Sequence, residues 1–309
     1  MMKILGVNIS HNCSFAYFES NLLKEYYEED RFNKDKGYMP DDDEDCNYTY
    51  QYKALEKFKD ITFDVVAFAS YDRGHLQIEL PIIKHILKQV KYKKYYFDIN
   101  KHHIYHANCG YYFSKFDEAT AVVVDGGGER FLNKNFQTME SIFSIDKDKI
   151  TTRYKHISNI RIYTFNDSKE EIEFDRRVDG FDVRISNKSI GGYKYMEARE
   201  RAGFKEREEG QLMGIAAYRN KKTNLDKKVL DIAHQAQEET LKERIELIKK
   251  ALTYSSCKNI ILSGGYHLNC LNNFKLVKHF PELNFFVDPI PYDGGTAVGV
   301  AHYYENYLQ

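Results

Sequence analysis

Three short apolar runs in this chain end on paired or tripled glycines, and they restrict its fold more than any other feature. Ala119 to Val124 leads into Asp125-Gly126-Gly127-Gly128. Asn259 to Leu262 leads into Ser263-Gly264-Gly265. Asn284 to Val287 leads, through a proline-bearing segment, into Asp293-Gly294-Gly295. A run of this length and composition reads as a buried strand. Glycine at its exit lets backbone N–H groups approach an anionic ligand. Three such turns in one chain indicate a nucleotide held by backbone loops, with Gly126, Gly127, Gly264, Gly265 and Gly294 in contact with it. No G-K-[ST] follows any of them, which excludes a Walker loop, and the glycine spacing is not that of a dinucleotide fold.

His102-His103-Ile104-Tyr105-His106 precedes the first of these strands. Residues four apart share a helix face, so His102 and His106 can bind one metal ion, and Asp125 at the strand exit is a further ligand candidate. No Glu stands in the position of the hydrolytic H-E-x-x-H motif. The set suggests a metal that holds a phosphate.

Elsewhere the pattern is that of an α/β chain. Lys3 to Ser10 and Phe15 to Phe18 read as a hairpin whose polar turn, including Ser10, His11 and Asn12, can cradle a phosphate. Gln51 to Lys59 reads as helix, Asp64 to Ser70 as strand, Leu80 to Tyr92 as helix and Tyr96 to Asn100 as a short strand. Asp41 to Asp45 reads as a solvated acidic loop. Ser141 to Ser144 and Thr151 to Ile157 read as strands, and Arg161 to Ile185 as a hairpin excursion. Helices are expected over Ile190 to Ala202, Leu225 to Leu252, from Asn269, and over Thr296 to Tyr304. Strand–glycine–helix units in each half favour two lobes, 1–117 and 118–309, with a ligand in the cleft between them.

The formal net charge of −1 gives no global field favouring nucleic acid or membrane. The five cysteines form no C-x-x-C pair and read as reduced thiols of a cytoplasmic protein. The start resembles a strand rather than a signal peptide, and no apolar run is long enough to span a bilayer.

Seven segments, in order, resemble the carbamoyltransferase family of the nodulation and tobramycin type. They are Ile4 to Ser14, Glu29-Asp30-Arg31-Phe32 with Lys36 and Pro40, His102 to Ala107, Val124 to Glu129, Gly210-Gln211-Leu212-Met213-Gly214, Ser263-Gly264-Gly265 with Leu268-Asn269-Cys270, and Asp293-Gly294-Gly295 with Gly299. The resemblance implies a two-lobed, actin-like and sugar-kinase-like fold, similar to the tRNA threonylcarbamoyl-transfer enzyme. It implies that His102, His106, Asp125 and Asp293 bind a divalent metal, iron in several members, with manganese, magnesium and zinc also compatible with the donors. It further implies that Lys36 contacts the carbamoyl or phosphate end of a carbamoyl-adenylate, and that Gly264, Gly265 and Asn269 line the adenosine pocket. Asn12 stands where the family usually has Asp, and Gln211 where Lys is common.

The implied activity is O-carbamoyl transfer from carbamoyl-adenylate, made from carbamoyl phosphate and ATP, to a hydroxyl acceptor such as a sugar or a hydroxymethylated nucleobase. His103 and His11 are the candidate bases. The chain stops soon after Gly299, so an activating subunit in trans is expected. A non-catalytic nucleotide-binding subunit and an ATP-dependent kinase of the same superfamily are the competing readings. Lysines between Lys84 and Lys94, interleaved with Tyr92, and Arg176, Arg177 and Arg184 leave nucleic acid open as a partner.

Overall fold

The computed structural model describes residues 2–40, 50–70, 76–131, 136–158, 173–205 and 208–307. The acidic run 41–45 and the first part of the 161–185 excursion lie outside them.

Two sheets organise the chain. The first has the order β3-β2-β1-β4-β5, built from β1 (Lys3–Asn8), β2 (Ser14–Glu19), β3 (Leu22–Glu28), β4 (Thr62–Ala69) and β5 (Lys91–Phe97). The hairpins β1–β2 and β2–β3 are antiparallel, whereas β1, β4 and β5 run parallel. β4 is apolar almost throughout and buried from Val65 to Ala69, as a central parallel strand covered on both faces should be. The second sheet has the order β10-β11-β9-β8-β6-β12-β13, with β7 (Arg130–Phe131) paired to β8. Its strands are β6 (Glu118–Val124), β8 (Phe136–Asp146), β9 (Ile150–Ser158), β10 (Glu173–Val178), β11 (Phe181–Ser186), β12 (Asn259–Ser263) and β13 (Asn284–Val287). The parallel trio β6, β12 and β13 carries the glycine turns at its C-terminal ends.

Helices α1 (Asp30–Asn33), α2 (Leu76–Leu87) and α3 (His102–Ser114) fall in the first half. In the second half lie α4 (Gly192–Arg201), α5 (Glu209–Ile215), α6 (Lys227–Tyr254), α7 (Cys270–His279) and α8 (Thr296–Tyr307). Local chemistry sets several boundaries. Asp226 caps α6 by accepting from the Lys228 N–H at 2.7 Å, and Asn269 caps α7 by accepting from Asn272 N–H at 3.1 Å. Gly203, at φ +79°, ends the turn after α4.

Four expectations need correction. The helix expected over 80–92 ends at Leu87, and Tyr92 lies in β5. That strand also replaces the short one expected from Tyr96 to Asn100, because its lysines and tyrosines occupy an exposed sheet edge rather than a helix face. The segment 51–59 forms a single 3₁₀ turn, Leu55–Phe58. Finally, α8 packs on the first sheet, in one core with Ile4, Ala16, Phe18, Val65, Tyr105 and Cys109. A division into 1–117 and 118–309 therefore does not follow the packing. The last helix returns to the first lobe, and α3 lies between the two sheets.

Candidate active site in the interlobe cleft

Helix α3 is enclosed on nearly every side. His102, His103, Tyr105, His106, Ala107 and Cys109 are fully buried. The helical spacing brings His102 Nε2 within 3.1 Å of His106 Nε2. Two carboxylates face them. Asp125 Oδ2 is 3.2 Å from His102 Nε2 and 3.6 Å from His106 Nε2, and Asp293 Oδ1 is 3.6 Å from each. All four donor atoms lie within 4.8 Å of one another.

The second oxygen of each carboxylate is held from behind. Ser10 Oγ donates to Asp293 Oδ2 at 2.8 Å, and Gly265 N–H donates to Asp125 Oδ1 at 3.2 Å. One oxygen per carboxylate is thus fixed while the other points at the imidazoles. The electrostatics favour a cation at the centre. Burial opposes a charge on His106, yet the hydrogen bonds it donates to Asp125 and Asp293 raise its pKa to about 10. Burial also opposes ionisation of both carboxyls, but the imidazoles outweigh it and hold them below the usual range, Asp125 well below.

Nitrogen and oxygen donors in this number suit a divalent metal. Bonds of about 2.1 Å would set neighbouring ligand atoms roughly 3.0–3.4 Å apart, close to the spacings seen. His106 Nε2 is the nitrogen aimed inward, at 3.6 Å from both carboxylates, and among the described residues its Nδ1 has no hydrogen-bond partner. The residues fit a metal.

The cage opens on a cleft of about 600 Å³, within the range of small-molecule sites. On the first lobe it is lined by His11, Asn12, Glu28, Asp30, Arg31 and Lys36, and on the second by Gly126, Met196, Arg199, Glu209, Met213 and Leu268 among others. The first set is polar and carries both signs of charge, whereas Met196, Met213 and Leu268 offer apolar surface. Asn8 shapes the polar turn. Its side-chain amide donates to the carbonyls of His11 and Asn12 at 2.7 and 3.2 Å, and its oxygen accepts from the Ser10 N–H at 3.0 Å. Asn12 takes φ 57° there, a conformation asparagine tolerates.

Other residues singled out in the sequence lie elsewhere. His103 Nδ1 is 2.8 Å from Ser141 Oγ, its ring is fully buried, and burial lowers its pKa to about 4. A Cβ on Gly128 would come within 2.5 Å of its Nε2, so the ring is walled in on that side. Asn269 is 2% exposed and bonds Gln237 and Tyr195 instead of facing the cleft. Gly264, at φ +92°, packs against the Val124 backbone, which a Cβ would approach to 2.3 Å. A Cβ on Gly127 would meet the Gln137 side chain, and one on Gly294 would meet Tyr26 Oη. Gln211 is exposed, and its amide donates to Glu208.

Two contributors were not assigned roles from sequence. Arg31 is held over the cleft by Glu28 at 3.3 Å and Asp30 at 3.4 Å. Asn8 precedes the glycine-free turn that it organises, and an isolated Asn at a strand end gives no signal by itself.

The fold is the two-lobed, actin-like and sugar-kinase-like architecture. HypF of T. kodakarensis superposes with a TM-score of 0.56 at 12% identity, over 99% of this chain and 48% of that one. Full-length HypF in its phosphate- and nucleotide-bound form gives 0.55 at 13% identity, over 97% and 55%. A ROK family protein from Streptococcus pneumoniae in complex with sucrose gives 0.52 at 9%, over 98% of both chains. Residues 45–302 match the sequence model of the family described as carbamoyltransferase N-terminus, and the chain belongs to that family. An uncharacterized protein of Synechocystis is 24% identical over 234 residues, 68% of this chain and 37% of the relative. The chain thus spans little more than a third of the curated relative it matches. Among the described residues, no helix is long and apolar enough to cross a membrane.

Proposed function

We propose that this chain carries the transfer half of an O-carbamoylation, moving the carbamoyl group of a carbamoyl-adenylate to a hydroxyl acceptor. The observation that carries this reading is the four-donor cage opening on a cleft that brings Lys36 and Arg31 to one side and apolar surface to the other. Family membership supports a transferase.

A divalent cation held by His102, His106, Asp125 and Asp293 would supply Lewis-acid stabilisation of a phosphate leaving group. The chain's own residues do the rest. Met196, Met213 and Leu268 offer an apolar surface to the base. Gly126 and Gly265, which line the cleft, allow close backbone approach. Lys36 and Arg31 face the carbamoyl and phosphate end, where negative charge grows as the acceptor attacks. A good donor at such a position contributes roughly 3 kcal/mol. The acceptor oxygen bonds to the carbamoyl carbon, the carbon–oxygen bond to phosphate breaks, and AMP leaves with the electron pair. His11 lines the cleft and takes the acceptor proton in this scheme. His103, buried against Ser141, is assigned a structural part.

Carbamoyl-adenylate is labile, so it would reach this cleft from an activating site outside the 309 residues. The test is acceptor carbamoylation, followed by mass spectrometry, with carbamoyl phosphate, ATP and candidate sugars or hydroxymethylated nucleosides, with and without an activating protein. The expected result is turnover only when activation is supplied, with Lys36→Ala inactive even then. Nucleotide binding without carbamoyl transfer under any of these conditions would favour a regulatory subunit instead.

A further inference from the structure

Ser263, the last residue of β12, is fully buried behind the histidine helix. Its Oγ is 3.0 Å from the carbonyl oxygen of His106 and 2.7 Å from Asp288 Oδ2. A hydroxyl has one proton to give. Both acceptor oxygens can be hydrogen-bonded to Oγ at once only when one of them brings its own hydrogen. A backbone carbonyl cannot do so, but a carboxylic acid can.

Asp288 itself lies deep in the core. It is 2% exposed. Its Oδ1 accepts from the Ile290 N–H at 2.9 Å and from the Cys109 thiol at 3.5 Å. Ser263, the Ile290 backbone, His106 at longer range and Cys109 each favour its ionised form, and burial outweighs them. Burial raises its carboxyl above the ordinary range.

We propose that Asp288 is carried as a neutral carboxylic acid whose Oδ2–H donates to Ser263 Oγ, which in turn donates to the carbonyl of His106. Asp288 is then a positioning residue. It fixes the turn of α3 that presents the His106 imidazole, and it adds no third negative charge beside Asp125 and Asp293. Its Oδ1 also ties α3, through Cys109, to the segment leading to Asp293. Its consequence for metal binding rests on the metal reading of the cage.

The test compares the parent with Asp288→Asn, Asp288→Leu and Ser263→Ala. Infrared difference spectra should show the C=O stretch of a protonated carboxylic acid in the parent at neutral pH, lost in Asp288→Asn. In Mn²⁺ titrations, Asp288→Asn should bind within about twofold of the parent, because its amide N–H donates where the acid O–H did. Asp288→Leu and Ser263→Ala should bind about tenfold more weakly or worse, the usual cost of removing support behind a metal ligand. Absence of the parent band would overturn the proposal, as would Asp288→Asn binding as weakly as Ser263→Ala. If Asp288→Leu does not fold, these two comparisons still decide. A parent that binds no Mn²⁺ would remove the metal reading and the positioning consequence, while the infrared band alone would settle where the proton sits.

Discussion

Asp125 and Asp293 divide their oxygens between two tasks, and each division depends on one small neighbour. Ser10 holds Asp293 from behind, and the Gly265 N–H holds Asp125. Ser10→Ala should therefore weaken Mn²⁺ binding about tenfold while changing global stability by only about 1 kcal/mol. Isothermal titration read beside urea unfolding checks this, and unchanged affinity would remove Ser10 from the site. His106→Ala is the harsher test. It deletes an inward-facing nitrogen, so purified protein should lose most of its metal by elemental analysis, and equal content in both proteins would refute the cage. The histidine pair and Asp125 were legible because helical spacing and a strand-end carboxylate are local patterns. The behaviour of Gly264, Asn269 and His103 was not. Whether a motif residue faces a ligand or the neighbouring strand depends on packing across more than a hundred residues, as with Gly264 against Val124.

At the scale of elements, the site depends on how closely α8 crosses α3. Both carry or flank candidate metal ligands, His102 and His106 on α3 and Asp293 just before α8. A Cβ on Gly299 would lie 1.8 Å from the Tyr105 carbonyl oxygen. A side chain there must push the helices apart, and overpacking of a close-packed core costs roughly 1–3 kcal/mol or more. Gly299→Ala should lower the unfolding free energy by at least about that amount. In whatever folded protein remains, metal affinity should also fall, because Asp293 moves relative to the two imidazoles. Thermal melts with and without Mn²⁺ test both effects, and a variant as stable and as metal-competent as the parent would show that the crossing is not limiting. The same crossing explains the limits of the sequence. The strands and the long α6 were legible from apolar runs and helical periodicity. The return of α8 to the first lobe was not, because a buried face carries no mark of the sheet it will cover. β5 was misread because lysine and tyrosine on an exposed edge strand imitate a solvated helix.

The molecule as a whole stores neutral histidines in its interior, and this sets its response to acid. Burial lowers His267 to about 3, where its Nδ1 lies 2.9 Å from Asn273 Oδ1, and lowers His302 to about 4 on α8. Neither ring touches the metal cage. Both folded values lie below the ordinary value near 6.5, so the unfolded chain binds more protons in acid and stability rises with pH. The contribution is complete above about pH 6.5 and is lost as pH falls from there toward the folded values. At pH 5 each ring costs about 2 kcal/mol, because it must stay neutral in a medium where the unfolded imidazole is protonated. Buried carboxylates act lower down. Glu140 is held near 2, where burial opposes ionisation but Arg244 and His156 outweigh it, so its stabilisation is lost only as pH falls through the range from about 4.5 to 2. The expected order is a first loss of stability between pH 6.5 and 5 from the histidines, with carboxylate losses beginning below about 4.5. His302→Gln separates the two causes. Its side chain can still meet Asn108 Oδ1, which lies 3.3 Å from the imidazole in the parent, and it has no proton to gain. Urea unfolding of parent and variant at pH 7 and pH 5 should show the variant losing about 2 kcal/mol less on acidification. Identical losses would mean that His302 titrates normally in the folded protein, and that the buried histidines do not govern the first acid step.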